Sequence, residues 1–172
     1  MSNNTGKRFE ADFKKSIPSY ALLYRLPDSA QVFSRSNNLR FSLKNPFDYL
    51  MWDSKKHILY ALELKTVAGK SITFERNKDE NKEIHFHQIQ GLNQWDKYEG
   101  IVCGFIIEFR KLEKTIFINI KDFNRIIDLI PKKSFNYNDL DIYNIKHTII
   151  SQKKARTRFT YGVNEFLETI KE

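Results

Sequence analysis

The chain has 172 residues, carries 29 Lys and Arg against 21 Asp and Glu, and has a formal net charge of +8 with a pI near 9.5. This length is typical of one domain with a sizeable core, and the basic balance favours a polyanionic partner. The only cysteine, Cys103, excludes an intrachain disulfide and suits a reducing cytosol. The first residues are polar and the longest apolar run, 101–109, is far below the roughly 20 residues of a membrane span, so we expect a cytoplasmic protein without a membrane partner.

Residues 3–17 are predicted to form a helix that ends before Pro18. Its buried stripe consists of residues spaced four apart, namely Phe9, Phe13 and Ile17. Glu10 borders this stripe, where it is either an active-site acid or the partner of Lys14 in a surface ion pair. A short strand is expected at 21–26. Residues 27–44 lack a clear period and predict a partly ordered excursion or a long hairpin.

Residues 45–65, NPFDYLMWDSKKHILYALELK, predict two β-strands joined by a turn at 54–57. With the turn centred on its midpoint, Asp48 faces Glu63 directly, at a Cβ separation of roughly 4.5–5.5 Å. Lys65 shares the face of Glu63 because strand side chains alternate between faces. Two carboxylates and a lysine are therefore expected to converge on one side of an otherwise apolar hairpin.

Two carboxylates this close repel each other, and a buried unpaired charge is costly, unless a cation lies between them. Mg²⁺ takes oxygen ligands, typically one or two carboxylates beside water and phosphate, and Mn²⁺ is an expected substitute. A lysine beside such a metal helps to position the attacking water or stabilises charge that develops on phosphate. The pattern predicts metal-assisted phosphodiester hydrolysis. The alternative is an ordinary salt bridge between Glu63 and Lys65 or a neighbouring lysine.

The acid-x-Lys tripeptide is not specific by itself, because the chain also contains it at 12–14, 53–55 and 80–82. These copies lie in a predicted helix, a turn and a polar loop, respectively. Only Glu63-Leu64-Lys65 ends an apolar strand with a second acid opposite it.

Residues 66–83 predict a polar loop, and 84–99 predict a helix. Gln88 lies on its inner stripe, which is unusual for packing alone and places it to donate to, or ligate near, the active centre. His85 and His87 are two residues apart and point to different helix faces, so a zinc pair is not expected.

Residues 134–150 are polar and predict irregular structure, and Asp122 is the predicted N-cap of the helix that follows it. No glycine-rich nucleotide loop occurs, so no nucleotide cofactor is expected. The remaining predicted elements are strands at 101–109 and 115–120, a charged turn at 110–114 and helices at 123–130 and 163–171.

The densest basic stretch, 151–161, sets Lys and Arg beside aromatic residues. Such runs suit phosphate contact and base stacking, with a solvated surface as the alternative, and the net charge favours binding. Lys7 and Arg8 oppose the dipole at the start of the first helix, which a phosphate contact would explain, with a solvated surface as the alternative. The expected nucleic-acid contacts are Lys7, Arg8, Arg35, Arg40, His87, Lys153, Lys154, Arg156 and Arg158.

The order of a helix with an acid, a hairpin with Asp48 and Glu63-x-Lys65, and a second helix resembles the PD-(D/E)XK nuclease fold, and within it the RecU family of Holliday junction resolvases. The resemblance covers about residues 5–120. The segments that carry it are 6–10 (GKRFE), 47–49 (FDY), 63–66 (ELKT), 70–74 (KSITF) and, most particular, 85–89 (HFHQI).

This resemblance implies an α/β fold with a restriction-endonuclease-like core, a central mixed β-sheet flanked by helices, in a single nuclease domain spanning 1–172. It implies that Asp48, Glu63 and Gln88 hold Mg²⁺, that Lys65 stabilises the transition state and that Glu10 is an additional acid. The expected protein is a homodimer that nicks opposed strands of a four-way DNA junction symmetrically. The alternatives are a restriction or repair nuclease of the same fold, and a non-catalytic DNA-binding accessory protein of recombination.

Three departures from the family pattern bear on junction specificity more than on cleavage chemistry. The longer basic arm at the start of Gram-positive RecU proteins is absent here. Pro46 stands where the family usually has a threonine beside the metal, so only a main-chain contact could replace that ligand. Residues 27–44 correspond to the protruding stalk of the family and are shortened. A compact version of this kind resembles one carried by a phage or mobile element.

Overall fold

The computed structural model describes residues 3–27, 45–78 and 80–170 of the chain. The helices are α1 (Asn3–Lys15), α2 (Phe86–Trp95), α3 (Ile120–Leu129), α4 (Tyr137–Ile142) and α5 (Val163–Thr169), with a 3-10 turn at Arg110–Leu112. The strands are β1 (Ala21–Arg25), β2 (Tyr49–Asp53), β3 (Ile58–Val67), β4 (Ser71–Thr73), β5 (Ile101–Phe109), β6 (Lys114–Asn119), β7 (Ser134–Asn136), β8 (Thr148–Ile150), β9 (Gln152–Ala155) and β10 (Arg158–Tyr161).

A six-stranded mixed sheet in the order β1-β2-β3-β5-β6-β8 forms the centre of the fold. Only β3 and β5 run parallel within it, and the crossover between them carries α2. Two further antiparallel pairs lie outside this sheet: β4 with the distant β7, and the β9–β10 hairpin. The predicted α/β fold with a central mixed sheet flanked by helices is confirmed.

Each face of the sheet is covered by its own hydrophobic cluster. Helices α2, α3 and α4 pack on the face that carries Ala61, Val67 and Phe105, whereas α1 and α5 pack on the face that carries Leu62 and Leu64. The predicted stripe of α1 is confirmed at its two helical positions, Phe9 and Phe13, which are buried, while Ile17 lies beyond the helix end and is partly buried.

The β2–β3 hairpin has the predicted register, since Tyr49 pairs with Leu62 and Asp53 with Ile58. The buried Asp53 side chain fixes the turn. Its Oδ1 accepts hydrogen bonds from the main-chain N–H groups of Lys55 and Lys56, at 2.9 and 3.3 Å. An aspartate whose carboxylate accepts the main-chain N–H groups two and three residues later is common in such turns.

Two segments expected to be irregular contain regular structure, so those predictions were wrong. Residues 66–83 were expected to form a polar loop, but β3 continues to Val67 and β4 forms within them. Residues 134–150 contain β7, α4 and β8. Both errors have one cause. These elements are short, and β4 gains its regular form by pairing with β7, a partner about 60 residues away that local periodicity does not reveal.

Helix boundaries also differ from the sequence-based expectation. Helix α2 spans Phe86–Trp95 rather than 84–99, because His85 and Asp96 are its caps. Asn119, and not Asp122, caps α3: its side chain accepts the N–H of Lys121, and the helix begins at Ile120. No helix within the described ranges is long and apolar enough to cross a membrane.

The excursion between β1 and β2, residues 28–44, lies outside the described residues, and with it the predicted contacts Arg35 and Arg40. Its two flanks meet: the Nδ2 of Asn45 donates a hydrogen bond of 2.6 Å to the carbonyl of Pro27. The next main-chain contact joins Leu26 N–H to the Asp48 carbonyl at 2.8 Å.

Candidate functional site

Glu63, near the middle of β3, is the centre of the candidate site. Its side chain is 1% exposed. Asp48 precedes β2 by one residue, and extending the hairpin register by one pair places it opposite Glu63, as predicted. The Glu63 Oε1 atom lies 3.0 Å from Lys65 Nζ and accepts a hydrogen bond of 2.5 Å from Gln88 Nε2. Its other oxygen, Oε2, is buried and has no hydrogen-bond partner among the described residues.

The ionised form of the Glu63 carboxyl group is disfavoured by its surroundings. Burial is the largest cause, and together with the neighbouring Asp48 it raises the pKa of Glu63 to about 8, against the opposing effect of Lys65. Lys65 therefore does not compensate the buried Glu63 carboxylate beside Asp48, which argues against interpreting the cluster as an ordinary salt bridge.

The donor set fits a hard divalent cation. The unpartnered Oε2 of Glu63 beside the Asp48 carboxylate supplies two oxygen ligands, and such a cation favours the ionised form of both acids. Within the described residues, no group of three or more His, Cys, Asp or Glu side chains comes together as a metal site. The remaining ligands would then be amide or main-chain oxygens, water and phosphate, which is the usual surrounding of Mg²⁺.

The amide orientation of Gln88 is fixed by both of its neighbours. The N–H of His85 donates to Gln88 Oε1 at 2.9 Å, which is half of a capping box at the start of α2, and the Nε2 group faces Glu63. Because an N–H can only donate, the amide oxygen must face His85. The predicted role of Gln88 as a metal ligand therefore requires the second lone pair of that oxygen.

Helix α2 is docked against the segment that carries Asp48. Gly91 is buried, and a Cβ placed on it would collide with Pro46, lying 2.8 Å from the Pro46 carbonyl oxygen. One turn further on, the rings of Trp95 and Phe47 meet edge to face at 5.0 Å. The close approach at Gly91 sets the distance between Gln88, on the helix, and Asp48, on the strand side.

Glu75 anchors the beginning of α2 from the other side. Its carboxylate accepts the N–H of Phe86 at 2.7 Å and of Lys82 at 3.2 Å, and lies 3.1 Å from His85 Nδ1. Burial alone would raise its pKa, but these hydrogen bonds and the His85 ring together lower it to about 2.

We expect Glu75→Gln to lower the free energy of unfolding by about 2 kcal/mol at neutral pH, the usual worth of a charge-assisted hydrogen bond. Because the folded-state pKa is depressed, the contribution of Glu75 is fully present above the unfolded-state pKa of about 4.3 and is lost as pH falls through about 2. Denaturant titrations at a series of pH values should show the two proteins converging at acid pH. Glu99→Gln, an exposed acid that forms no hydrogen bond or ion pair within the described ranges, is the control.

Glu10 lies on the opposite face of the sheet from Glu63, because α1 packs on the Leu62 face. Its Oε2 accepts a hydrogen bond of 2.6 Å from the Tyr49 hydroxyl and lies 3.5 Å from Arg25 Nε, so its ion pair is with Arg25 rather than Lys14. No hydrogen bond or ion pair in the described ranges joins Glu10 to Lys65. Burial, Glu10 and, more weakly, Asp48 raise the pKa of Tyr49.

The structure thus brings four predicted residues together: Asp48, Glu63, Lys65 and Gln88. Glu10 does not join them directly, and its hydrogen bond is with Tyr49, the residue after Asp48. Sequence reasoning missed Tyr49 and Glu75. Strand alternation contains the signal for Tyr49, since the residue after Asp48 must point to the α1 face. No comparable signal exists for Glu75, whose partners depend on the path of the following loop.

The predicted nucleic-acid contacts differ in their availability. Lys7, Arg8, Lys153 and Arg156 are exposed. Lys154 lies 2.5 Å from Glu113, Arg158 Nε lies 2.7 Å from the buried Asp12, and the half-buried His87 ring stacks on His85 at 5.4 Å.

Comparison with known proteins identifies related sequences. Residues 64–165, more than half of the chain, match the family RecU, described as Recombination protein U. This range includes Lys65 and Gln88 and begins one residue after Glu63. The chain is also similar to the SPbeta prophage-derived uncharacterized protein YotM of Bacillus subtilis (strain 168), with 35% identity over 124 residues. That alignment covers 71% of this chain and 59% of the relative, so the chain spans about three fifths of the length of this relative.

Proposed function

This chain belongs to the RecU family, and from that membership and the geometry of its site we propose that it is a metal-dependent endodeoxyribonuclease that resolves four-way DNA junctions. The prophage origin of the relative agrees with the expectation of a phage or mobile-element version of the family. The working compartment is proposed to be the cytoplasm, and the substrate to be branched DNA.

One observation carries the catalytic part of this proposal. Glu63 is buried with one oxygen unpartnered, beside the Asp48 carboxylate and within 3.0 Å of Lys65 Nζ. Glu63 and Asp48 lie within hydrogen-bonding reach of each other, and no described donor serves the second oxygen of Glu63, so the pair is satisfied by either a shared proton or a cation between the acids. An unsatisfied buried acceptor would otherwise cost about 1–3 kcal/mol. A buried acid left in this state is typical of a site completed by another molecule.

Asp48 and Glu63 would hold Mg²⁺, with Mn²⁺ as a substitute, and Gln88 would contribute through its oxygen or hold Glu63 in place. When bound, the metal supplies charge to the scissile phosphate and lowers the pKa of a bound water. Lys65 is 18% exposed and has its Nζ 3.0 Å from Glu63 Oε1, where it would orient the attacking water or stabilise negative charge on the phosphate. Glu10, held by Tyr49 and Arg25, is proposed as a supporting acid at the α1 side.

A homodimer is proposed because junction resolution requires two coordinated cuts. A protein with two-fold symmetry presents two identical sites to a substrate with approximate two-fold symmetry. Exposed cations would supply a salt-sensitive grip on phosphates, while the shape of the junction supplies selectivity.

The test is cleavage of a labelled mobile four-way junction in Mg²⁺, beside a linear duplex of the same sequence, with Glu63→Gln as the inactive control. We expect paired nicks at symmetric positions on opposed strands of the junction. Equal cutting of the linear duplex would retain the nuclease and remove the junction assignment, leaving a restriction or repair enzyme. Tight binding without cutting in either Mg²⁺ or Mn²⁺ would leave a DNA-binding accessory protein.

A further inference from the structure

A small crevice lies between three elements that are far apart in the sequence. Helix α1 contributes Arg8, the turn after β5 contributes Arg110, and the turn of the β9–β10 hairpin contributes Thr157. The crevice holds only about 30 Å³ and is too small for a ligand. The crevice nevertheless shows that side chains from these three elements lie next to one another at the surface.

The β9–β10 hairpin is held firmly at this rim. Asp12 of α1 accepts hydrogen bonds from Arg158 Nε at 2.7 Å and from the N–H of Phe159 at 3.1 Å. The Tyr161 hydroxyl donates to the buried Glu108 at 2.8 Å. Because these contacts join the hairpin to both α1 and β5, its cations keep a fixed position relative to the sheet.

Arg8 and Arg110 line the crevice, and four further cations either neighbour a lining residue in the chain or lie on the β9–β10 hairpin. We call these six the rim cluster: Lys7, Arg8, Arg110, Lys111, Lys153 and Arg156. All six are exposed, and within the described ranges none forms an ion pair. The acids nearby are already engaged. Asp12 holds Arg158, Glu108 accepts from Tyr161, and Glu113 pairs with Lys154. The rim cluster therefore presents uncompensated positive charge.

This charge lies on the α1 side of the sheet, beside the part of β3 that directly follows Lys65. The Thr66 hydroxyl, directly after Lys65, donates to Glu108 at 2.6 Å, and a Cβ on Gly6 would lie 3.9 Å from the Thr66 methyl group. Lys65 pairs with Ile107 on β5. Arg110 follows three residues later, which is about 10 Å further along the strand direction. That distance corresponds to one or two phosphates of a DNA strand.

We propose that the rim cluster is a phosphate-binding surface for the DNA arm that flanks the cleavage site, with Arg110 and Lys111 as contacts that no sequence motif indicated. The inference rests on the proposed function, since it assigns a path to the same substrate. Cations fixed on three rigidly joined elements suit a duplex, whose phosphates are also held in fixed positions, and backbone contacts of this kind position DNA without reading its sequence.

The test measures equilibrium binding of a labelled four-way junction by fluorescence anisotropy in metal-free buffer over a range of NaCl concentrations. For Arg110→Ala with Lys111→Ala, we expect the slope of log affinity against log salt to fall in magnitude by about 1.8, the effect of two lost phosphate contacts. At 0.1 M salt this corresponds to a loss of affinity of up to about 60-fold. The control pair, Lys97→Ala with Lys146→Ala, removes the same charge from exposed positions near the other end of β5 and should change the slope little.

A second pair of substitutions, Lys153→Ala with Arg156→Asn, tests the cations of the β9–β10 hairpin. Asparagine is chosen because Arg156 has a φ of 53°, a left-handed conformation that asparagine tolerates better than alanine. Equal slope changes in the rim and control pairs would overturn the proposal, because the effect would then follow net charge alone. An active enzyme whose binding is unchanged by both rim pairs would overturn the surface and leave the nuclease standing. A wild-type protein that binds with the expected slopes but never cuts would support the surface and refute the nuclease. Absence of DNA binding in the wild type would overturn both.

Discussion

Replacing Asp48 with asparagine is expected to reduce junction cleavage by about 10³-fold or more, or about 4 kcal/mol in activation free energy, without destabilising the metal-free protein. The two effects differ because Asp48 is costly in the absence of a cation. Its charge raises the pKa of the buried Glu63, so its removal relieves repulsion between the two side chains. A substitution that only disturbed folding would lower stability and activity together.

Thermal unfolding with and without Mg²⁺ separates these cases. In the wild type, Mg²⁺ at ten times its Kd should stabilise the fold by about 1.4 kcal/mol, and in Asp48→Asn this stabilisation should disappear. Asp128→Asn, an exposed acid on α3, serves as the control and should retain both cleavage and the response to Mg²⁺. Retained Mg²⁺ stabilisation and cleavage in Asp48→Asn would exclude Asp48 from the metal site.

Gly91→Ala is expected to lower both the free energy of unfolding and the activity, although alanine is the better helix former. A Cβ at this position collides with the main chain and ring of Pro46, which cannot move aside as a flexible side chain could. Overpacking costs about 1–3 kcal/mol and occasionally more, while the helix preference of alanine returns about 1 kcal/mol. Because the overlap with Pro46 is severe, the upper end of the overpacking cost applies, and we expect a net loss of about 2 kcal/mol. Any outward shift of α2 also lengthens the hydrogen bond from Gln88 Nε2 to Glu63 Oε1, which is 2.5 Å long in the wild type.

Activity should therefore fall further than the loss of folded protein explains, by about 10²-fold for a displacement near 1 Å. Chemical denaturation and single-turnover cleavage at a temperature where the variant is fully folded would measure the two effects. Gln90→Ala, at an exposed position on the same helix, also introduces alanine, with a smaller gain in helix preference and without the collision, and should be neutral or slightly stabilising. A stable and fully active Gly91→Ala protein would show that the approach of α2 to Pro46 does not set the geometry of the site.

The β2–β3 hairpin and the Asp48–Glu63 pair were predictable because both depend on local rules, whereas the central mixed sheet was expected from the family resemblance. Strand alternation and one turn position determine which residues of a hairpin face each other, and the turn is fixed by Asp53 within the same segment. The convergence of Lys65 on Glu63 follows from the same alternation. A hairpin is a local structure, so its register can be read from a short sequence.

Features that depend on distant partners could not be predicted in the same way. The strand β4 exists because β7 lies beside it, and the anchoring of α2 by Glu75 depends on the course of a polar loop. Arg158 was predicted to contact nucleic acid, yet its guanidinium group pairs with Asp12, which is 146 positions away in the chain. A basic run alone does not distinguish a cation that positions the hairpin from one that is available to DNA, such as Arg156.

The contact between Asn45 and Pro27 has a consequence for how this protein can diverge. It joins the two flanks of residues 28–44, and the neighbouring contact from the Leu26 N–H to the Asp48 carbonyl connects these flanks to the residue that precedes β2. Doubling the length of a closed loop costs only about 0.6 kcal/mol. Insertions and deletions beyond the closure can therefore accumulate in a lineage with little effect on the position of Asp48. Under the proposed function, sequence change in residues 28–44 and the chemistry at Asp48 would be separately evolvable properties of one gene product.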